Sequence, residues 1–250
     1  MPFGALDILV FAPHPDDAEL CCGGLLLLAR DAGMRLGVID ITRGEMGTRG
    51  SVAERKKEAG AATRMLKLAA RENLGLPDGH LHDDEKLRTA MVRSLRKYRP
   101  RIVLIPHWED QHPDHAAVGQ AGLYAAWLAG APKYDAASGK GVASSKSLPY
   151  RPKHVLHYNN RYGIKADIVV DITPVMDEKV KLVGCYATQF GPGSKSAKGA
   201  PQTRLSSKNF FEWLRGMHAF YGYQTGARYG EAYAGKSPLG ISDVDLLVAR

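Results

Sequence analysis

Cysteine is scarce: Cys21 and Cys22 are neighbours and Cys185 lies far away, which gives neither a disulfide framework nor a Cys-x-x-Cys metal clip. No apolar run approaches bilayer length, and Met1 to Leu6 hold no basic n-region or long apolar h-region. No membrane anchor or signal peptide is therefore expected, and the expected compartment is the cytoplasm, with reduced thiols. Phosphate-binding loops of the Gly-x-Gly-x-x-Gly or Gly-x4-Gly-Lys-Ser/Thr type are missing. Cys21-Cys22-Gly23-Gly24 is no substitute, because the carboxylates just before it would repel phosphate; its glycines read as close helix packing.

Charge is not short, but it is unevenly placed. Lysine and arginine number 34 against 26 acids. Lys133 to Lys153 holds five basic residues against Asp135 alone, and Gly191 to Lys208 holds four against none, so these two segments carry the whole excess. Both are rich in Gly, Ser, Pro and Ala and read as loops. Neither has the interleaved aromatics of a nucleic-acid stacking platform, so the expected partner is an anionic small molecule, with no nucleic acid and no membrane.

Leu6 to Ala12 is a continuous apolar run followed by a helical pattern over Glu19 to Ala32. The alternation recurs with Arg35 to Ile41 and Ala53 to Leu68, then Arg71 to Leu74 and Glu85 to Tyr98, then Ile102 to Pro106 and Asp114 to Leu128. Apolar strands separated by amphipathic helices imply a doubly wound, Rossmann-like α/β fold with a mostly parallel sheet. Further strands are expected at Val155 to Tyr158 and Ile168 to Asp171, and helices at Pro174 to Thr188 and Ser207 to Tyr221. Leu123, Tyr124 and Trp127 read as core, and His80, His82, His154 and His157 as structural or solvated. With no internal repeat or linker, residues 1–250 are expected to form a single domain.

In such sheets ligands lie beyond the carboxyl ends of the strands where strand order reverses, between strands 1 and 4 here. The first strand runs into His14-Pro15-Asp16-Asp17-Ala18-Glu19, and the fourth into His107-Trp108-Glu109-Asp110-Gln111-His112-Pro113-Asp114-His115. Either cluster alone is an ordinary helix start with a capping carboxylate. Two at adjacent strand ends can build one metal site. Two imidazoles and a carboxylate with open positions suit catalytic zinc, with a spare carboxylate as base; non-haem iron is the competing choice.

The pair His14-Pro15-Asp16-Asp17 and His112-Pro113-Asp114-His115 resembles the signatures of the PIG-L/LmbE-like zinc deacetylases, which act on N-acetylglucosamine units. Thr42 to Gly50, Glu54 to Ala59, Arg71 to Leu74, Cys185 to Phe190 and Arg228 to Glu231 are similar to the branch that deacetylates N-acetylglucosaminyl L-malate in bacillithiol biosynthesis. The resemblance implies His14, Asp17 and His115 as ligands of Zn2+, with Fe2+ or another divalent ion as a substitute, and Asp16 as general base. It implies His112, oriented by Asp114, as a cation that stabilises the oxyanion. Arg55, Glu45 and a mobile Tyr186 would contact substrate, and the assembly would be a homo-oligomer, a hexamer. Two departures stand out: Pro13 precedes His14 where glycine or alanine is common, and Gln111 replaces an arginine frequent in the malate branch. Other readings are an amidase of a thiol-sugar conjugate, another N-acetylglucosamine deacetylase acting on glycolipid or chitooligosaccharide, and a non-catalytic sugar- or nucleotide-binding module.

Overall fold

The computed structural model describes residues 5–134, 148–159, 164–191 and 201–238. Strands β1 (Ile8–Ala12), β2 (Leu36–Thr42), β3 (Ala70–Leu76) and β4 (Ile102–Pro106) alternate with helices α1 (Asp17–Asp31), α2 (Val52–Met65), α3 (Glu85–Tyr98) and α4 (Pro113–Ala129). Then come β5 (His154–Tyr158), β6 (Ile168–Asp171), a 3-10 turn (Thr173–Val175), α5 (Met176–Val183), α6 (Phe210–Tyr223) and β7 (Gly230–Ala234). One seven-stranded sheet results, in the order β3-β2-β1-β4-β5-β7-β6. The pairs from β3 through β5 are parallel, and β7 runs antiparallel to both its neighbours. This is the doubly wound α/β sheet that the apolar strand and helix alternation implies.

At the centre of the sheet β1, β2 and β4 are buried on both faces, which is why they read as largely apolar runs. Ile8, Val10 and Ala12 face one core with Val38 and Leu104, and that core is closed by residues of α1, α2, α5 and α6. Leu9 and Phe11 face the other, with Ile39, Val103 and Ile105, closed by α3 and α4. Ile8 stands in register with both Leu36 and Ile102, so β1 and β4 end side by side. Their helices leave towards opposite faces, and the crevice between them opens at the carboxyl edge.

Local signals explain several boundaries. A reciprocal capping box of Ser51 and Glu54 starts α2, the Asp84 side chain caps α3, and Arg99 ends α3 in the left-handed region at φ 46°. The expected helix from Pro174 to Thr188 is shorter: it ends at Gly184, and the chain turns inward so that Tyr186 enters the core. Tyr124 and Trp127 are corrections too. They lie 51% and 62% exposed on the outer face of α4, beneath Arg88 and Arg151 respectively. The aromatic spacing matches a helix face, but Ala121, Ala125 and Ala129 form the face that packs on the sheet. Most of the two basic segments, 135–147 and 192–200, lies outside the described residues; their described parts, 148–153 and 201–208, form no helix or strand.

Candidate metal centre at the β1/β4 crevice

The chain leaving β1 is held tightly. The Pro13 carbonyl accepts from both the backbone N–H and the Oγ1 hydroxyl of Thr42. Arg55, reaching across from α2, donates from Nη2 to the Pro15 carbonyl at 2.9 Å and to Asp16 Oδ2 at 2.5 Å. The guanidinium has room because Gly44, at φ 69°, carries no side chain: a Cβ there would lie 2.9 Å from Arg55 Nη1. Asp16 adopts φ 136°, ψ −25° at the start of α1 and makes no side-chain cap. Its carboxylate goes to Arg55 instead.

Asp17, one residue on, turns Oδ2 to His14 Nδ1 and to His115 Nε2, each at 3.2 Å. Among the described residues these three donors form one of two groups able to hold an ion; the other is His14, His112 and Asp114. The first group fits a metal better. Bonds of about 2.0–2.1 Å to a tetrahedral ion place neighbouring donors about 3.3 Å apart, close to the spacing seen. In the second group the Asp114 carboxylate already accepts from Gly79 and Leu81 N–H at 2.8 and 3.1 Å, and His112 Nδ1 accepts from Asp114 N–H.

Electrostatics point the same way. Burial opposes an imidazolium at His14, yet hydrogen bonds to Asp114, Asp17 and Asp78 push it up to about 12. Burial likewise opposes charge on His115, and Asp17 and Asp110 raise it to about 9. Asp17 stays ionised despite burial, its carboxyl held well below the usual range mainly by His115. The carboxylates thus demand positive charge between the imidazoles, which a divalent cation supplies as well as protons do. Burial raises Asp16 to about 7 against the opposing pull of Arg55.

A cavity of about 480 Å3 opens over this cluster, lined by His14, Asp16, Asp17, Arg55, Asp78, His112 and His115 and walled by Met46, Gln189, Phe190, Thr203 and Leu205. Of the residues expected from sequence, six (His14, Asp16, Asp17, Arg55, His112 and His115) meet here. Asp114 is beside them, but in a different role. Its carboxylate reaches His14 Nε2 at 3.3 Å and the loop amides of Gly79 and Leu81, and only its backbone N–H meets His112. The cation expected at His112 is opposed by burial and by the neighbouring His115 and His14, which lower its pKa while those two rings are themselves protonated.

Glu45 and Tyr186 do not reach the cavity. Glu45 is exposed, and its carboxylate accepts from the backbone N–H groups of Arg43 and Asp78, shaping the loop. Tyr186 is fully buried, its hydroxyl accepting from Arg71 at 3.0 Å, and Arg71 in turn pairs with Glu19 and Asp40. In this structure it is packed in the core, in the turn that follows α5. The motif around it reaches the site through Gln189 and Phe190, fixed by the bonds of Thr188 to Glu58 and of Gln189 to the Arg49 carbonyl. Sequence reasoning missed Asp78, 3.0 Å from His14 Nε2, because Leu76-Pro77-Asp78-Gly79 reads as an ordinary turn. It also gave Asp110 no role, although Asp110 stands in the quoted cluster five residues before His115.

A doubly wound sheet with imidazoles and carboxylates converging at its switch point has the make-up of a metal-dependent hydrolase. Residues 9–126 match the family model described as PIG-L, GlcNAc-PI de-N-acetylase, and the chain belongs to that family. The conserved protein TT1542 from Thermus thermophilus is similar at 35% identity and a TM-score of 0.79, over 94% of this chain and 97% of that one. The diacetylchitobiose deacetylase of Thermococcus kodakarensis is 29% identical over 90% of this chain and 80% of its own length. A probable N-acetyl-alpha-D-glucosaminyl L-malate deacetylase 2 of Bacillus subtilis is 28% identical over 73% and 82%. The protein is accordingly a hydrolytic N-deacetylase. Among the described residues no helix is long and apolar enough to cross a membrane.

Proposed function

We propose that this chain removes the acetyl group from an N-acetylglucosamine conjugate, with Zn2+, or Fe2+ in its place, held by His14, Asp17 and His115. The observation that supports this reading is the convergence of those three donors, 3.2 Å apart about Asp17, on the floor of an open cavity. A divalent ion held there would polarise the acetyl carbonyl and make a water more acidic. Asp16, on the same floor, takes the proton of the attacking water, and Arg55 orients its carboxylate. Because His112 Nδ1 is occupied as an acceptor, its ring proton sits on Nε2, ready to donate to the developing oxyanion or the departing amine.

Two aglycones compete. Malate, implied by the sequence resemblance, needs a cation. Among the described residues the cation lining the cavity is Arg55, already paired with Asp16. Thr48, Gln189 and Thr203 beside Met46, Phe190 and Leu205 form a wall suited to a neutral saccharide. The neutral wall among the described residues favours a chitooligosaccharide as the substrate. Acetate release from diacetylchitobiose and from N-acetylglucosaminyl malate, measured with the metal content, tests this. Faster release from diacetylchitobiose is expected, and His115→Ala should remove most of the metal. A His115→Ala protein that keeps stoichiometric metal, or a metal-loaded wild type that releases acetate from neither compound, would overturn the proposal.

A further inference from the structure

His115 faces two carboxylates. Its Nε2 meets Asp17 Oδ2 at 3.2 Å and its Nδ1 meets Asp110 Oδ2 at 3.3 Å. An imidazole can offer Nε2 as a lone pair only if Nδ1 carries the proton, so the group that accepts from Nδ1 decides whether the ring can ligate. Asp110, its side chain 8% exposed, is that group. Its other oxygen, Oδ1, accepts the backbone N–H of His112 at 2.9 Å, and His112 is the residue from which α4 starts. One carboxylate thus grips both histidines of the His112 to His115 segment, His115 by its ring and His112 by its backbone.

We propose that Asp110 is a positioning residue: it fixes His115 in the tautomer that presents Nε2 to the metal, and it places His112 beside the same ion. The inference rests on the assignment of His115 as a ligand. Both oxygens of Asp110 accept, and this double acceptance separates the available replacements. Asp110→Ala removes both contacts. Asp110→Asn keeps the shape but offers only one acceptor, and its amide turns a donor towards either His115 Nδ1–H or His112 N–H.

Chelator competition with Zn2+ on the purified protein reads affinity without any substrate, and the visible absorption of the Co2+-loaded protein reads the coordination. Both variants should bind Zn2+ roughly 10- to 100-fold more weakly than wild type and show altered Co2+ bands. At saturating metal they should also have a lower kcat through the displaced His112. Where Asp110→Ala fails to fold, the isosteric Asp110→Asn carries the test. If the folded variants hold Zn2+ as tightly as wild type with an unchanged Co2+ spectrum, Asp110 does not position His115, while deacetylation by wild type would still stand. If wild type itself binds no metal, the ligand assignment fails and this inference with it.

Discussion

Asp16 occupies a backbone conformation that residues with a Cβ avoid, φ 136° with ψ −25°, at a cost of about 1–3 kcal/mol. A carboxylate at a helix start ordinarily turns back to cap the first turn. Here Arg55 draws it away while gripping the Pro15 carbonyl, so the strain is held by two charge-assisted hydrogen bonds. The result is a carboxylate fixed over the cavity floor beside the three proposed ligand donors rather than among them. Asp16→Asn preserves size and removes the proton acceptor. Metal content should stay near wild type while acetate release slows by roughly 10²- to 10⁴-fold, read by metal analysis and steady-state kinetics on the same preparation. Near-wild-type turnover would remove Asp16 from the role of base.

The helix that carries Asp17 is anchored well beyond its own first turn. Glu231 on β7 accepts from the backbone N–H groups of Gly24 and Leu25 at 2.6 and 2.7 Å, from the Tyr233 hydroxyl, and from Lys179 on α5. Lys179 and Glu231 are both buried within 1% of complete. Gly24 permits this approach, since a Cβ would fall 2.5 Å from Ile172 Cγ2 and 2.8 Å from Glu231 Oε1. Glu231→Gln leaves the Lys179 ammonium buried without its counter-charge and should cost about 3–5 kcal/mol. Gly24→Ala, an overpacking, should cost about 1–3 kcal/mol. Urea unfolding of both variants gives the order; a Glu231→Gln protein as stable as wild type would show that Lys179 finds another partner. Sequence could read the glycines as close packing, but it had no signal for what packs on them. β7 itself escaped notice: Gly230–Ala234 is five residues long with a glutamate inside it, and its identity as a strand comes from pairing with β5 and β6. β1, β2 and β4 were legible because burial on both faces writes a largely apolar run, and the candidate ligand cluster because a His-Pro step follows each of β1 and β4. Asp78 was not, since only the fold brings its turn to His14.

For the molecule as a whole, two further buried histidines bear on the pH dependence of stability. Burial lowers His157 to about 4, and burial together with Lys179 lowers His218 to about 3. Their Nδ1 atoms meet the carbonyls of Pro106 and Gly230, and their Nε2 atoms are buried without a partner. Unfolded, each titrates near 6.5. Above that value both states are neutral and the rings do not affect the pH slope. Below it the unfolded chain binds protons that the folded chain refuses, so stability falls from about pH 6.5 down to the folded values. Each ring contributes a slope approaching 1.4 kcal/mol per pH unit, as an order of magnitude. Urea unfolding of metal-free protein between pH 4 and 6.5 should show a shallower acid loss in His157→Phe and His218→Phe than in wild type. Equal slopes in all three would mean that these rings protonate in the folded state.

The place of β7 in the sheet also orders events in time. Gly24 and the carboxylate that grips it are 207 residues apart, and ribosomes add about 5–20 residues per second. α1, with Asp16 and Asp17 at its head, therefore waits about 10–40 s after its own synthesis before Glu231 exists to clasp it. The acid groups at the head of α1 are thus made well before the residue that locks their helix. The nascent chain can form β1 and α1 early, but the clasp that holds them in the finished sheet is necessarily a late step.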